Sequence, residues 1–467
     1  MTDNAYTKQP NDFTQNIGNG SYSTADSYVK QVWDGRYTGI RMCNQLLENI
    51  DRVPDLDPEL KKRYIGEAKV LRAYSYYELY TKFGDIPYTT KVLSIKESMS
   101  IARTAKATVI VNILADLDEV INGNYLPTSY DADNKGRITR WAAMAIKAKI
   151  YLFEGNWTQV KNITSTIMTE GGFKLFGSYA GLFEIANEYN SEVILDAQYR
   201  PTSREHQMMY VFLPPTLGGY SQLSPLQELV DSYIMLDGKT IKETGTSFDE
   251  SHPYANRDPR LKATVMYTGN SYTLADGTEV VINCEKGEGK DGYGVGSDCS
   301  ATGYYIKKYW DNTYRATLYS GLNPILIRYA DILLMNAEAL AELGELDKTA
   351  WDATIKPIRN RAGFTLASAL EFPEGASKDK LIEIVRNERR SELALEGHRH
   401  KDIIRWRIAD NVLNGWCHGL KTNDVVGTDD GYVRVENRTF NANRHYLWPI
   451  PQAERDLNGN LEQNPNW

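Results

Sequence analysis

Two stretches of the chain, "AIKAKIYLFEGNWTQV" from Ala145 and "NAEALAELGELDKTAW" from Asn336, carry the same pattern: small residues in one helix, a glycine at its end and an aromatic early in the next. Small side chains let helices approach closely, and glycine supplies the left-handed backbone that ends a helix. The pattern commits the chain to antiparallel helical hairpins. It suits a tetratricopeptide unit or a generic hairpin, and its recurrence favours the former.

Further hairpins follow from spacing. Asp57 and Pro58 read as a cap and a first-turn proline, after which Leu60, Tyr64, Ala68, Leu71 and Leu79 recur at helical spacing until Gly84. This predicts a helix over about 58–83, paired with a helix over Tyr28 to Ile50. Thr104 to Ile121 pairs with a helix whose face is Trp141, Ala145, Ala148 and Leu152. A third hairpin joins the stripe Tyr329, Ile332, Asn336, Leu340 and Leu343 to Trp351, Ile355, Ile358 and Ala362. Between about 185 and 325 the character changes to short strand-like runs, "EVILDAQY", "LKATVMY", "EVVINC" and "GYYIKKYW", set among Gly, Asp and Asn. The expected fold is therefore mainly α, with tetratricopeptide-like helical hairpins and a loop-rich insertion containing short β-strands. A single domain over 1–467 is expected, with helical scaffold at about 25–170 and 325–410, an irregular α/β insertion at about 185–325 and a C-terminal segment at 411–467.

Composition narrows the function. A net charge of −8 without a Lys/Arg-rich block offers no field for phosphates, so nucleic acid is not an expected partner. No apolar run reaches the roughly 20 residues that span a bilayer as a helix. Tyr and Trp number 31 and 9 against 11 Phe, an investment in aromatic groups with a polar tip that suit half-wet binding surfaces.

The motifs of catalysis are missing. There is no HExxH, GxSxG or Walker loop. Gly287, Gly289 and Gly292 match GxGxxG, but "DGYGVGSDC" continues too rich in glycine to begin a pyrophosphate-binding helix. "DADNKG" from Asp131 imitates a calcium loop, yet Lys135 replaces an oxygen ligand and no closing Glu follows. His398 and His400, two apart on a helix, point away from each other. Cys43, Cys284, Cys299 and Cys417 form no CxxC pair, and a bridge between Cys284 and Cys299 stays open. No catalytic residue, cofactor or metal is therefore assigned. Glycoside hydrolysis needs only two distant carboxylates and no local motif, so that reading also stays open.

The string "NERRSELALEGHRHKDIIRW", Asn387 to Trp406, reads bottom-up as a helix ended by Gly397 whose Glu388, Arg389, Arg390, Glu392 and Glu396 build a salt-bridge network between helices. It closely resembles the signature of the SusD/RagB family. Further blocks agree in order: "GEAKVLRAYSYYELYTKFGDIPY" from Gly66, "GRITRWAAMAIKAKIYLFEGNW" from Gly136, "LVDSYIMLDG" from Leu229, "NRDPRL" from Asn256, "IRYADILLMNAEAL" from Ile327, "IRNRAG" from Ile358 and "YLWPIPQAERDLNGNLEQNP" from Tyr446. The resemblance implies a surface lipoprotein of the outer membrane that captures oligosaccharide without catalysis and delivers it to a SusC-like TonB-dependent transporter; some relatives take peptides instead. It also implies a signal and a lipidated cysteine upstream of Met1, giving an N-terminal lipid anchor that this chain does not contain.

The family's blocks are scaffold and transfer no ligand contact, so candidates come from position and type. Tyr293 lies in a glycine-rich loop, and Trp310 and Tyr314 lie in "YWDNTYR". Aromatics among Asp, Asn and Arg are the expected ligand-binding residues, with Trp310 as anchor because its indole has the widest face. Trp33, Trp141, Trp157, Trp351, Trp406 and Trp448 are expected to be structural.

Overall fold

The computed structural model describes residues 2–8, 13–313 and 318–467. The chain divides into two compact units. One comprises Met1–Asn19, Gly172–Asp402 and Val412–Arg438; the other comprises Gly20–Gly171, Ile403–Asn411 and Thr439–Trp467.

The second unit is built from helices in which each packs on the next: Ser27–Asn49, Pro58–Phe83, Lys106–Asn122, Arg140–Phe153 and Trp157–Glu170. Asp57 caps Pro58–Phe83 by accepting the Leu60 amide at 2.8 Å, as the Asp–Pro pair predicts. Flanked by Ser27–Asn49 and Lys106–Asn122, this helix buries residues all round its second half rather than along one stripe, and Leu71, expected in the core, is exposed. Trp33 and Trp141 are buried as expected, whereas Trp157, in the first turn of its helix, is only half-buried. The C-terminal block seals one end. Trp448 meets Phe83 edge to face at 5.9 Å, and the Asn464 amide donates to both of their carbonyls.

The first unit mixes helices with small antiparallel ladders. Val193–Asp196 pairs with Ile325–Arg328, Val265–Met266 with Tyr305–Ile306, and Ser271–Thr273 with Glu279–Val281. Tyr432–Arg438 runs between Gly415–Lys421 and Thr428–Asp429. "LKATVMY" is mostly not a strand: Asp258 caps a short helix, Pro259–Thr264, that leaves only two residues for the ladder. Tyr329–Leu343 ends on Gly344 at φ 74°, the left-handed conformation that the hairpin pattern requires. The next stripe is two helices, Lys348–Ala353 and Ile355–Ala362, broken at Thr354. Pro357 has no N–H for the Ala353 carbonyl, and the break moves it into a first turn where none is needed.

Three charges of the signature string, Glu388, Glu392 and Glu396, form a buried ion network, whereas Arg389 pairs with Asp331 and Asp402 and Arg390 with Asp3 outside it. Arg260 holds Asp258 at 2.7 Å, Glu388 at 2.7 Å and Glu392 at 2.9 Å. Arg328 holds Glu192 at 2.7 Å, Glu392 at 2.6 Å and Glu396 at 2.7 Å. Lys308 adds to Glu396, Arg359 to Glu388, and Arg361 to Glu192 and Glu392, so five cations meet five carboxylates in one connected cluster. The helix stops at Glu392 rather than Gly397. The Glu392 carbonyl accepts Arg328 Nη2 at 2.8 Å and the Ala394 carbonyl accepts Lys308 Nζ at 2.8 Å, so side chains take the acceptors that another helical turn would use.

Removing one member of such a cluster strands its partners. Glu392→Ala is expected to cost about 3–5 kcal/mol, against no measurable loss for Lys348→Ala at the exposed Lys348–Asp352 pair; denaturant titration of both variants checks this. The network also makes the unit acid-labile. Burial raises the Glu392 and Glu396 carboxyls, but neighbouring cations outweigh it, Arg361, Arg328 and Arg260 at Glu392 and Arg328 and Lys308 at Glu396, holding Glu396 down at about 2 and Glu392 well below its ordinary range. A depressed carboxyl contributes fully above its unfolded value and loses that contribution as pH falls through its folded value. Melting of this unit is therefore expected to fall steeply between roughly pH 4.5 and pH 2, as followed by calorimetry.

Candidate functional site

The Arg260 node fixes the short segment between two stacked, half-buried tyrosines. Tyr254 precedes it, Tyr267 follows it, and their rings stack with centroids 4.0 Å apart and planes 16° from parallel. Arg257 pins the approach by donating to the carbonyls of Pro253, Val230 and Tyr233, and Asn270 Nδ2 pins the exit by donating to the carbonyls of Lys262 and Val265.

Behind the pair, Tyr304 is buried and meets Tyr254 edge to face. Its hydroxyl lies 3.2 Å from that of Tyr254 and donates to Gln227 Oε1 at 2.6 Å, while Gln227 Nε2 donates to Asp231 at 2.7 Å. The relay runs from a helix, Gln227–Ser232, to the stacked ring and sets its orientation. Gly419 brings the strand Gly415–Lys421 against this wall, where a Cβ would lie 2.6 Å from the Thr302 carbonyl oxygen. Burial pushes the phenols of Tyr254, Tyr267 and Tyr432 up, so all three are neutral hydroxyls near neutral pH.

These residues line a cleft of about 1040 Å³, with Phe248 and Tyr432 as further aromatics and Glu250, Asn270, Glu285 and Lys286 among its polar groups. That volume reaches the upper end of ligand sites, which span roughly 300–1,000 Å³. Two ion pairs join its loops: Lys421 reaches Glu250 at 2.8 Å, and Lys286 pairs with Asp424. Among the described residues, no group of three or more His, Cys, Asp or Glu is placed to hold a metal.

The chain matches the model of the SusD family over residues 182–467, and a second model, described as starch-binding associating with outer membrane, over residues 1–152. The chain belongs to the SusD family. A SusD-like carbohydrate binding protein from Bacteroides fragilis is 29% identical, with a TM-score of 0.89 over 99% of this chain and 91% of that one. A laminarin binding SusD-like protein is 25% identical, with a TM-score of 0.74 over 100% of this chain and 92% of that one. A SusD-like protein of Formosa agariphila is 27% identical over 82% of this chain and 71% of its own length. The mainly α architecture with short scattered strands is thus that of the SusD family.

Of the aromatics singled out in the sequence, Trp310 and Tyr293 lie in the same unit but outside that lining. Trp310 donates its indole N–H to the Thr273 carbonyl at 2.8 Å and packs at 5.0 Å on Tyr272, at the edge of a hydrophobic cluster. Tyr293 is half-buried against that cluster and exchanges backbone bonds with Cys284 and Gly287, bracing the loop that lines the cleft from outside the lining itself. Tyr314 falls outside the described residues. Cys284 and Cys299 are separate, buried thiols. The cleft tyrosines escaped notice because Tyr254 and Tyr267 flank "NRDPRL" and Tyr304 sits in a strand-like run. The one available signal was their common dependence on the Asp258–Pro259 helix start.

Thermal melts separate the two kinds of aromatic. Trp310→Ala is expected to lower stability by about 2–3 kcal/mol, since it removes an indole packed on Tyr272, and Tyr267→Ala by no more than about half of that.

Proposed function

We propose that the cleft binds an oligosaccharide, and that the protein presents it at the outer surface of the outer membrane to a SusC-like TonB-dependent transporter without cleaving it. The carrying observation is the stacked Tyr254–Tyr267 pair, held on a cleft wall by a hydrogen-bond relay and surrounded by side chains that can bond hydroxyls. A sugar ring presents C–H groups on its faces and hydroxyls at its edge. An aromatic platform with polar neighbours satisfies both at once.

Family membership supports capture rather than catalysis, as does similarity to a carbohydrate binding and a laminarin binding SusD-like protein. The match of residues 1–152 to a starch-binding family associating with outer membrane supports residence there, and the family resemblance implies a lipid anchor. Transfer to the transporter rests on the family resemblance, to which hairpin arrays contribute broad surfaces suited to a large protein contact.

Titration calorimetry against an oligosaccharide panel tests the reading. A ligand should be found whose affinity falls by about thirtyfold, or about 2 kcal/mol, in Tyr267→Ala, and its chromatogram should be unchanged after prolonged incubation. Shortened products, or binding confined to oligopeptides, would contradict it.

A further inference from the structure

The charges around the cleft point to a narrower class of ligand. Three lysines line it, and two are already neutralised within the protein, Lys421 by Glu250 and Lys286 by Asp424. His252, also on the rim, faces Asp249 at 2.9 Å. The third lysine, Lys262, makes no ion pair among the described residues, and neither do Glu285 and Glu288 on the same lining. With the pairs counted as neutral, one lysine stands against two carboxylates. Among the described residues no arginine lines the cleft.

Uronates and sulfate esters are acceptor-only anions. Drawing one out of water into a cleft requires charge-assisted donors, for which the planar guanidinium is best suited and the free ammonium serves as a point charge. Here the guanidiniums near the wall are committed: Arg257 donates to three backbone carbonyls and Arg260 is ion-paired with three carboxylates. Breaking Lys421–Glu250 or Lys286–Asp424 to free a lysine would leave its carboxylate facing the anion. The net charge of −8 adds repulsion at longer range. Uncharged sugars meet none of these obstacles, and the Glu285 and Glu288 carboxylates are acceptors for their hydroxyl protons.

We infer that the cleft selects an uncharged oligosaccharide and rejects chains bearing uronate or sulfate groups. The inference rests on the reading of the cleft as a glycan site, and its test separates the two. Malto-, laminari-, cello- and xylo-oligosaccharides are titrated against oligogalacturonate, oligoalginate and sulfated carrageenan oligosaccharides, at low salt and at about 0.5 M NaCl. The wild-type protein, Tyr267→Ala and the double variant Glu285→Lys/Glu288→Lys are compared. A member of the uncharged set should bind the wild type with an affinity that salt changes by less than about twofold, and Tyr267→Ala should lose it. No anionic chain should bind the wild type at low salt, whereas the lysine variant should acquire salt-sensitive binding of one. An anionic chain that binds the wild type, weakens with salt and is lost in Tyr267→Ala overturns the selectivity while leaving the glycan site intact. Uncharged ligand that still binds Tyr267→Ala at full affinity, or a folded wild type that binds neither set, removes the glycan reading of the cleft and this inference with it.

Discussion

Arg260, Arg328 and Glu392 meet where a capped turn, a strand end and a helix end converge, and the first unit is organised around that meeting. Burying charge is costly, several kcal/mol for each ion even after relaxation, so a well-packed apolar cluster of the same volume would give equal or greater stability. What the ions add is a fixed arrangement. Apolar side chains can slide past one another at small cost, whereas a guanidinium shared among three carboxylates has few placements that keep all three within ion-pair distance. Here that placement sets the end of Lys378–Glu392, the start of Pro259–Thr264 and the end of Ile325–Arg328 together.

The consequence for function is preorganisation. Tyr254 and Tyr267 lie on either side of the pinned turn, so their stacking is a property of the folded network before any ligand arrives. The relay through Tyr304 and Gln227 removes the remaining freedom of the Tyr254 ring. A platform already held in place does not charge its ordering entropy to the ligand, which matters for sugars because their gains from stacking are modest. The cleft loops are held differently, by ion pairs whose members are largely exposed and whose contribution is small.

The helical part of the fold was legible because its signals are local. Asp57–Pro58, the small-residue stripes and Gly344 each specify structure within a few residues, and the helices begin and end close to where they predict. Errors arose where distant partners decide. Leu71 follows the helical stripe but lies on the side left open after two neighbours have packed, and Gly397 lost its expected role because Arg328 and Lys308, remote in sequence, claimed the carbonyls of Glu392 and Ala394. The string around Glu392 announced ion pairs but not which cations would answer them. The cleft was less legible still: an aromatic in a polar stretch, such as Trp310, looks exposed until the Thr273 carbonyl and the Tyr272 ring are brought beside it.

The buried network holds the Tyr254–Tyr267 platform in place before ligand binds. Hydrogen–deuterium exchange of the protein with and without a bound oligosaccharide measures this directly. Added protection is expected only in the cleft loops, around 249–255, 268–270, 284–288 and 421–424, while amides in Pro259–Thr264 and Lys378–Glu392 are strongly protected without ligand and unchanged by it. Weak protection of those two helices in the free protein that rises on binding would contradict it, because the network would then be a product of recognition rather than its foundation.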